Sequence, residues 1–138
     1  MTTREKAQNP EDLTRLFVDR ANAGDVDGLA ELYEPDAVMA FPPGRQTVGR
    51  DAIRAVMQGM IEHGPSEFPH EELLPTLRIG DIALTATKPE DGTGGRAQVV
   101  RRQADGTWLR ILDRPEAGGS LPRWRRAPGA PVRPRARA

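Results

Sequence analysis

Residues 22–55, NAGDVDGLAELYEPDAVMAFPPGRQTVGRDAIRA, decide the fold. Gly24 supplies a helix stop, and Asp25 can cap a short second helix whose buried side carries Val26, Leu29, Leu32 and Tyr33. Pro35 is expected to end that helix. Residues 37–41, AVMAF, are apolar throughout, as a short strand at the centre of a domain is. Pro42, Pro43 and Gly44 turn the chain, and residues 46–48 return as a brief strand. A third helix then starts near Arg50.

Upstream, Asn9, Pro10, Glu11 and Asp12 make a helix start: Asn caps, Pro fits the first turn, and acids favour the positive end of the dipole. Leu13, Leu16, Phe17 and Ala21 follow on one apolar face. In the third helix, Ile53, Val56, Met57, Met60 and Ile61 keep the helical repeat as far as Gly64 and Pro65. Beyond that point the period changes to two. Residues 73–79, 82–87, 97–102 and 108–113 read as strands, separated by Gly80-Asp81, a polar loop at 89–95 and Asp105-Gly106. Three helices followed by a meander of antiparallel strands is an α+β arrangement. The organisation is an N-terminal arm at 1–9, one domain at 10–115 and a tail at 116–138.

The chain has 138 residues, enough for one domain with a real core. It has no cysteine, so neither disulfides nor thiolate chemistry is available. His63 and His70 are its only histidines, which argues against a histidine-rich metal site. No signal-like apolar run opens the sequence and no segment approaches the ~20 apolar residues that span a bilayer, so a soluble cytoplasmic protein is expected. Net charge is zero, yet the tail carries six arginines against one acid, Glu116, which leaves an acidic domain and a basic tail. The tail is poor in apolar residues and reads as disordered. With eighteen arginines and two lysines in the chain, its basicity reads as compositional bias, and nucleic-acid binding is not favoured.

The segments NAGD with its following helix, DAVMAFPPG and GRDAIRAVM resemble the NTF2-like superfamily, which includes ketosteroid isomerase and the SnoaL-type polyketide cyclases. The last hairpin, VVRRQADGTWLRILDRP, is similar to those of the SnoaL-like group. The resemblance covers about residues 10–115 and implies a cone: three N-terminal helices packed in a curved antiparallel β-sheet around an apolar pocket. It implies no cofactor. Its implied ligand is a small, largely apolar molecule, polycyclic ring systems included.

Ketosteroid isomerases use an aspartate base with a tyrosine and a neutral carboxylic acid that hydrogen-bond the enolate. By resemblance, the base position falls on Phe41, the tyrosine position on Phe17 and the neutral-acid position on Gln98. A phenyl ring neither takes a proton nor donates one, so the isomerase mechanism in its usual form is absent. Gln98 can still donate to an oxyanion. SnoaL-type cyclases use an aspartate inside the cone, which makes Asp113 the candidate acid–base group. Strict alternation puts Leu109, Ile111 and Asp113 on one face and Trp108, Arg110 and Leu112 on the other, and the resemblance to the isomerase implies that the first set faces the pocket. The alternative for Asp113 is a structural pair with Arg114, Arg45 or Arg50 at the rim.

Phe17, Tyr33, Met39, Phe41, Met57, Met60, Leu109 and Ile111 are the candidate ligand-contacting residues, although apolar side chains at such spacing also serve simply as core. For Tyr33 the alternative is a hydroxyl at the surface. His63 complements the end of the third helix, and His70 is expected to be solvated. Related folds pair through the outer sheet face, so a homodimer built on Trp108 and Leu112 is expected. An isomerase- or cyclase-type enzyme stands beside a non-catalytic binding or dimerisation module as the alternative. Epoxide hydrolysis needs an Asp–Arg–Asp arrangement around a water, which the sequence does not place.

Overall fold

The computed structural model describes residues 3–88 and 95–115. The tail at 116–138 lies outside the described residues. Helix α1 (Asp12–Asn22) turns Leu13, Leu16 and Ala21 inward, while α3 (Arg50–His63) turns in Ile53 and Met57. Between them, α2 (Val26–Ala30) opens on Asp25, whose carboxylate accepts from the Gly28 N–H at 3.0 Å. A Cβ at position 28 would run into that carboxylate, so the short cap requires glycine. The α1 start differs from the expected asparagine cap. No side chain caps it, and Asp12 instead accepts from the Gln8 and Asn9 N–H groups, each at 3.0 Å.

Seven strands appear among the described residues: β1 (Tyr33–Met39), β2 (Thr47–Val48), β3 (Glu72–Leu73), β4 (Leu77–Ile79), β5 (Ile82–Lys88), β6 (Arg96–Arg102) and β7 (Trp108–Arg114). They form one sheet in the order β2-β1-β7-β6-β5-β3, with β4 also on β5. All pairs are antiparallel except β1 and β7, which run parallel. The fold is thus α+β, three helices against a curved, unclosed sheet, the NTF2-like cone. Among the described residues no helix is long and apolar enough to cross a membrane.

Three local expectations change. Helix α2 stops at Ala30, and Tyr33 begins β1 rather than closing the helix. Pro35 lies within that strand, in the irregular stretch between Tyr33 and Val38, where its missing N–H breaks no ladder bond. The expected strand at 73–79 splits into β3 and β4 around Pro75. Entry to α3 needs Gly49, whose φ of 94° is a conformation that side chains disfavour.

The core lies between the helices and one sheet face: Leu13, Leu16, Leu29, Ile53 and Met57 meet Ala37, Met39, Ala83, Val100 and Trp108. The N-terminal arm joins it. Ala7 is buried and its carbonyl accepts from the Trp108 N–H at 3.0 Å, while Arg4 pairs with Asp25 at 2.8 Å. The buried Arg20 donates to the carbonyls of Gly28, at 2.6 Å, and of Glu5, tying the arm to the α1–α2 corner. Arg20→Leu leaves both carbonyls without this donor. It should lower unfolding free energy by about 1–3 kcal/mol in urea titration, the cost of stranding buried polar groups.

Candidate functional site

Five buried polar side chains of the inner face, Tyr33, Thr85, Gln98, Arg110 and Asp113, gather in one cluster. In-register partners place Thr85, Gln98, Asp113 and Met39 in one row across β5, β6, β7 and β1. A second row holds Val100, Arg110 and Tyr33. Strands alternate their side chains, so residues three apart normally face opposite ways. Here Val99 pairs with Leu112 while Val100 pairs with Arg110, which leaves Ile111 as the extra residue of a β-bulge. The bulge brings Arg110 and Asp113 to the same side.

These side chains are all buried: Tyr33 and Thr85 fully, Arg110, Gln98 and Asp113 nearly so. The Tyr33 hydroxyl donates to Asp113 Oδ2 at 2.5 Å, and Gln98 Nε2 donates to Oδ1 at 3.2 Å. Behind Gln98, Thr85 Oγ1 donates to its Oε1 at 3.2 Å. Arg110 Nη1 reaches the Tyr33 oxygen at 3.4 Å and stands 3.9 Å from Asp113 Oδ2. Its guanidinium lies over the Phe17 ring, 4.9 Å from the centroid, and 5.8 Å from that of Tyr33. The Arg110 Nε is buried without a hydrogen-bond partner.

Two opposite charges held this deep need each other and their hydrogen bonds, because desolvation otherwise outweighs their attraction. The cluster supplies both: a carboxylate that receives two neutral donors, and a cation beside it on an aromatic face. Burial, then the adjacent Asp113 carboxylate, pushes the Tyr33 phenol far above its ordinary value, so it remains a donor. Chemically the arrangement offers a carboxylate able to take a proton and a fixed positive charge to steady the negative charge that results.

Of the expected site residues, Asp113, Gln98 and Tyr33 meet in this network, with Phe17 over Arg110 and Met39 in register with Asp113. Met57 is buried below, and Met60 packs at the edge of the core. Two others lie elsewhere. Phe41 follows β1 and is 41% exposed, and Leu109 pairs with Arg101 on the opposite face from Trp108 and Arg110. Ile111 is the half-buried bulge residue. Tyr33 does not send its hydroxyl to the surface, and the arginine beside Asp113 is Arg110 rather than Arg114, Arg45 or Arg50. Arg50 instead donates to the Tyr33 carbonyl at 2.8 Å and 2.6 Å. Trp108 and Arg110 are buried, which removes both from any outer row. Arg110 escapes a reading by strict alternation, which hides a bulge that no glycine marks, and Thr85 joins only through its cross-strand pairing with Gln98. Among the described residues, no group of three or more acidic or histidine side chains converges as a metal site requires.

Residues 14–111 match the model of the SnoaL-like domain. No curated protein matches the chain by sequence. Solved structures with the same fold include a ketosteroid isomerase-like protein from Erwinia carotovora atroseptica, 21% identical over 75% of this chain and 89% of that one, with a TM-score of 0.58. An NTF2-like protein of unknown function from Pseudomonas putida is 22% identical over 75% and 80%, TM-score 0.58. A domain of unknown function with a cystatin-like fold from Nostoc punctiforme is 16% identical over 82% and 77%, TM-score 0.64. The chain belongs to the SnoaL-like domain family of the NTF2-like superfamily.

Tyr33 is the only tyrosine, so phenolate absorbance reports on one residue. The folded protein should show no phenolate band as pH passes the ordinary value of 10.0. Because the folded phenol holds its proton more tightly than the unfolded one, its stabilising contribution is complete below pH ~10 and declines above it. The band should therefore appear together with loss of tertiary structure by circular dichroism. A band rising near pH 10 in folded protein would contradict the buried hydroxyl.

Proposed function

We propose that this domain takes a small, largely apolar molecule, polycyclic ring systems included, and acts on it as an isomerase- or cyclase-type enzyme by proton transfer. The observation that supports this reading is the buried Asp113 carboxylate with Arg110 beside it and a donor on each oxygen. In the proposed step, Asp113 takes a proton from a carbon next to a carbonyl of the substrate. The C–H pair moves into the enolate, whose oxygen is met by the positive Arg110, whose Nε is unused. Asp113 then returns the proton to a different carbon for isomerisation, or to the product of ring closure. Gln98 holds the carboxylate between the two transfers. The Tyr33 phenol keeps its proton and holds the other carboxylate oxygen.

The phenyl rings at positions 17 and 41 keep the isomerase tyrosine and base out of this scheme. The same saturation of Asp113 favours the second reading, a non-catalytic small-ligand-binding module in which Asp113 and Arg110 are a structural pair.

Turnover separates the two. Cyclic β,γ-unsaturated ketones can be followed by the absorbance of the conjugated product, with deuterium uptake from solvent as the second readout. Asp113→Asn keeps the shape and should lower the rate by about 10²–10⁴-fold while ligand affinity stays near that of the parent. Gln98→Leu should slow the reaction less, since one neutral hydrogen bond is lost. A rate unchanged in Asp113→Asn, with a lowered melting temperature, ends the catalytic assignment in favour of the binding module.

A further inference from the structure

The Asp113 cluster is closed off from water. Tyr33, Thr85, Gln98, Arg110 and Asp113 keep between 0% and 6% of their surface open. A carboxylate so enclosed touches no ligand until some part of its wall moves. The register of the strands shows what covers it on one side. Thr85, Gln98 and Asp113 make one inward row, and the next inward row along the strands holds Leu73, Thr87 and Arg96. Rows on one face stand two residues, roughly 7 Å, apart. Over this second row ends the segment at 64–71, which joins α3 to β3.

We infer that residues 64–71 are a movable strap whose release from Asn22 admits a ligand to Asp113, which rests on reading that cluster as a ligand site, catalytic or binding. Near its middle the strap is held by one side chain. The Phe68 N–H donates to Asn22 Oδ1 at 2.7 Å, and Asn22 Nδ2 donates to the Phe68 carbonyl at 2.9 Å. From the last residue of α1, a carboxamide thus copies the paired bonds of an antiparallel ladder. Among the described residues, the backbone at 65–70 makes no other hydrogen bond to the body. The Phe68 ring packs half-buried against the core. At the sheet end, Glu71 accepts from Thr87 Oγ1 at 2.8 Å and from Arg96 Nε at 2.9 Å, in the row beside the site.

Other parts of the wall yield less readily. The sheet behind the cluster is tied by its ladders, and α1 and α3 bury Leu13, Leu16, Ile53 and Met57 in the core. The strap buries far less: residues 64–67, 69 and 70 are exposed. The contact from His70 Nε2 to Asp19, 3.3 Å, joins two exposed side chains and holds little. Segments with few buried contacts open well below the free energy of global unfolding. Pro65 and Pro69 stiffen the strap, so it swings as a unit and takes the Phe68 ring with it. Phe17, Val56, Met60 and Ile61 are, like Phe68, apolar side chains at the edge of the core. Phe17 carries the Arg110 guanidinium on its face. Entry past these residues is apolar as far as the Arg110–Asp113 pair, which favours an uncharged ring system over an anion or a sugar.

A thiol placed in the site reads access without any turnover. The chain has no cysteine, so Thr85→Cys sets a single, nearly isosteric thiol in the Asp113 row, and Met39→Cys does the same should the first variant misfold. Labelling of the full chain by methyl methanethiosulfonate is followed by mass under native conditions. Adding Asn22→Ala should speed it about 10- to 100-fold, the scale of two lost hydrogen bonds. Asn22→Asp, which keeps only the acceptor for the Phe68 N–H, should give a smaller rise. Low urea should change these rates little, because the strap exposes little surface when it opens. Amide exchange at 64–71 should quicken in Asn22→Ala while the β6–β7 amides keep their parent rates. A labelling rate that Asn22→Ala leaves unchanged, or one with the steep urea dependence of global unfolding, overturns the strap. Unchanged turnover in Asp113→Asn ends the proton-transfer reading without altering the thiol's labelling, so the two readings fail separately.

Discussion

One inserted residue brings the two buried charges of this sheet to the same face. If β7 ran against β6 without the bulge at Ile111, Arg110 and Asp113 would point to opposite sides, because strand side chains alternate. Either the carboxylate would leave the interior or the guanidinium would. Leu112, next to Asp113, points outward in line with Val99 and Val38. The polar cluster inside is the result of that shift in pairing and does not survive its removal.

The cluster also explains why this interior tolerates ionised groups. Two charged side chains are nearly excluded from water, and their separation of 3.9 Å is too long for a direct hydrogen bond. Tyr33 bridges them, accepting from Arg110 and donating to Asp113. Gln98 and Thr85 extend the line on the far side, each donating toward the carboxylate. Partly satisfied polar networks are costly inside a protein. The group this one leaves unpaired is the Arg110 Nε.

The order of elements was legible in the sequence because it rests on local signals. The Gly24–Asp25 stop and cap, the helical repeat of Ile53, Met57 and Met60, and the change to period two after residue 65 each act within a few residues. What local signals cannot carry is register. Pro35 reads as a helix end by propensity, but the pairing of β1 with β7 tolerates it inside a strand. Tyr33 reads as part of the buried side of that helix for the same reason, which hides its register with Arg110 across β1 and β7. The burial of Asp113 and its bond to Gln98 follow from cross-strand pairing, while the partnership with Arg110 needed the bulge. Phe41 reads as core by its apolar neighbours, yet it stands past the end of β1, where the chain turns away.

The hydrogen bond between Tyr33 and Asp113 joins residues 80 positions apart. It also sits where the sheet's parallel pair is made, so the two strands that it joins come from opposite ends of the domain. During synthesis β1 emerges early and has only the short β2 to pair with until β7 arrives. The helices and the β5–β6 hairpin can form from nearby residues, but closing β1 onto β7 fixes a long loop before contacts repay its entropy. A nascent chain halted before residue 108 would hold most of the helical core, an open sheet edge and no carboxylate site. Completion of the last strand is thus the event that makes the interior both closed and chemically equipped.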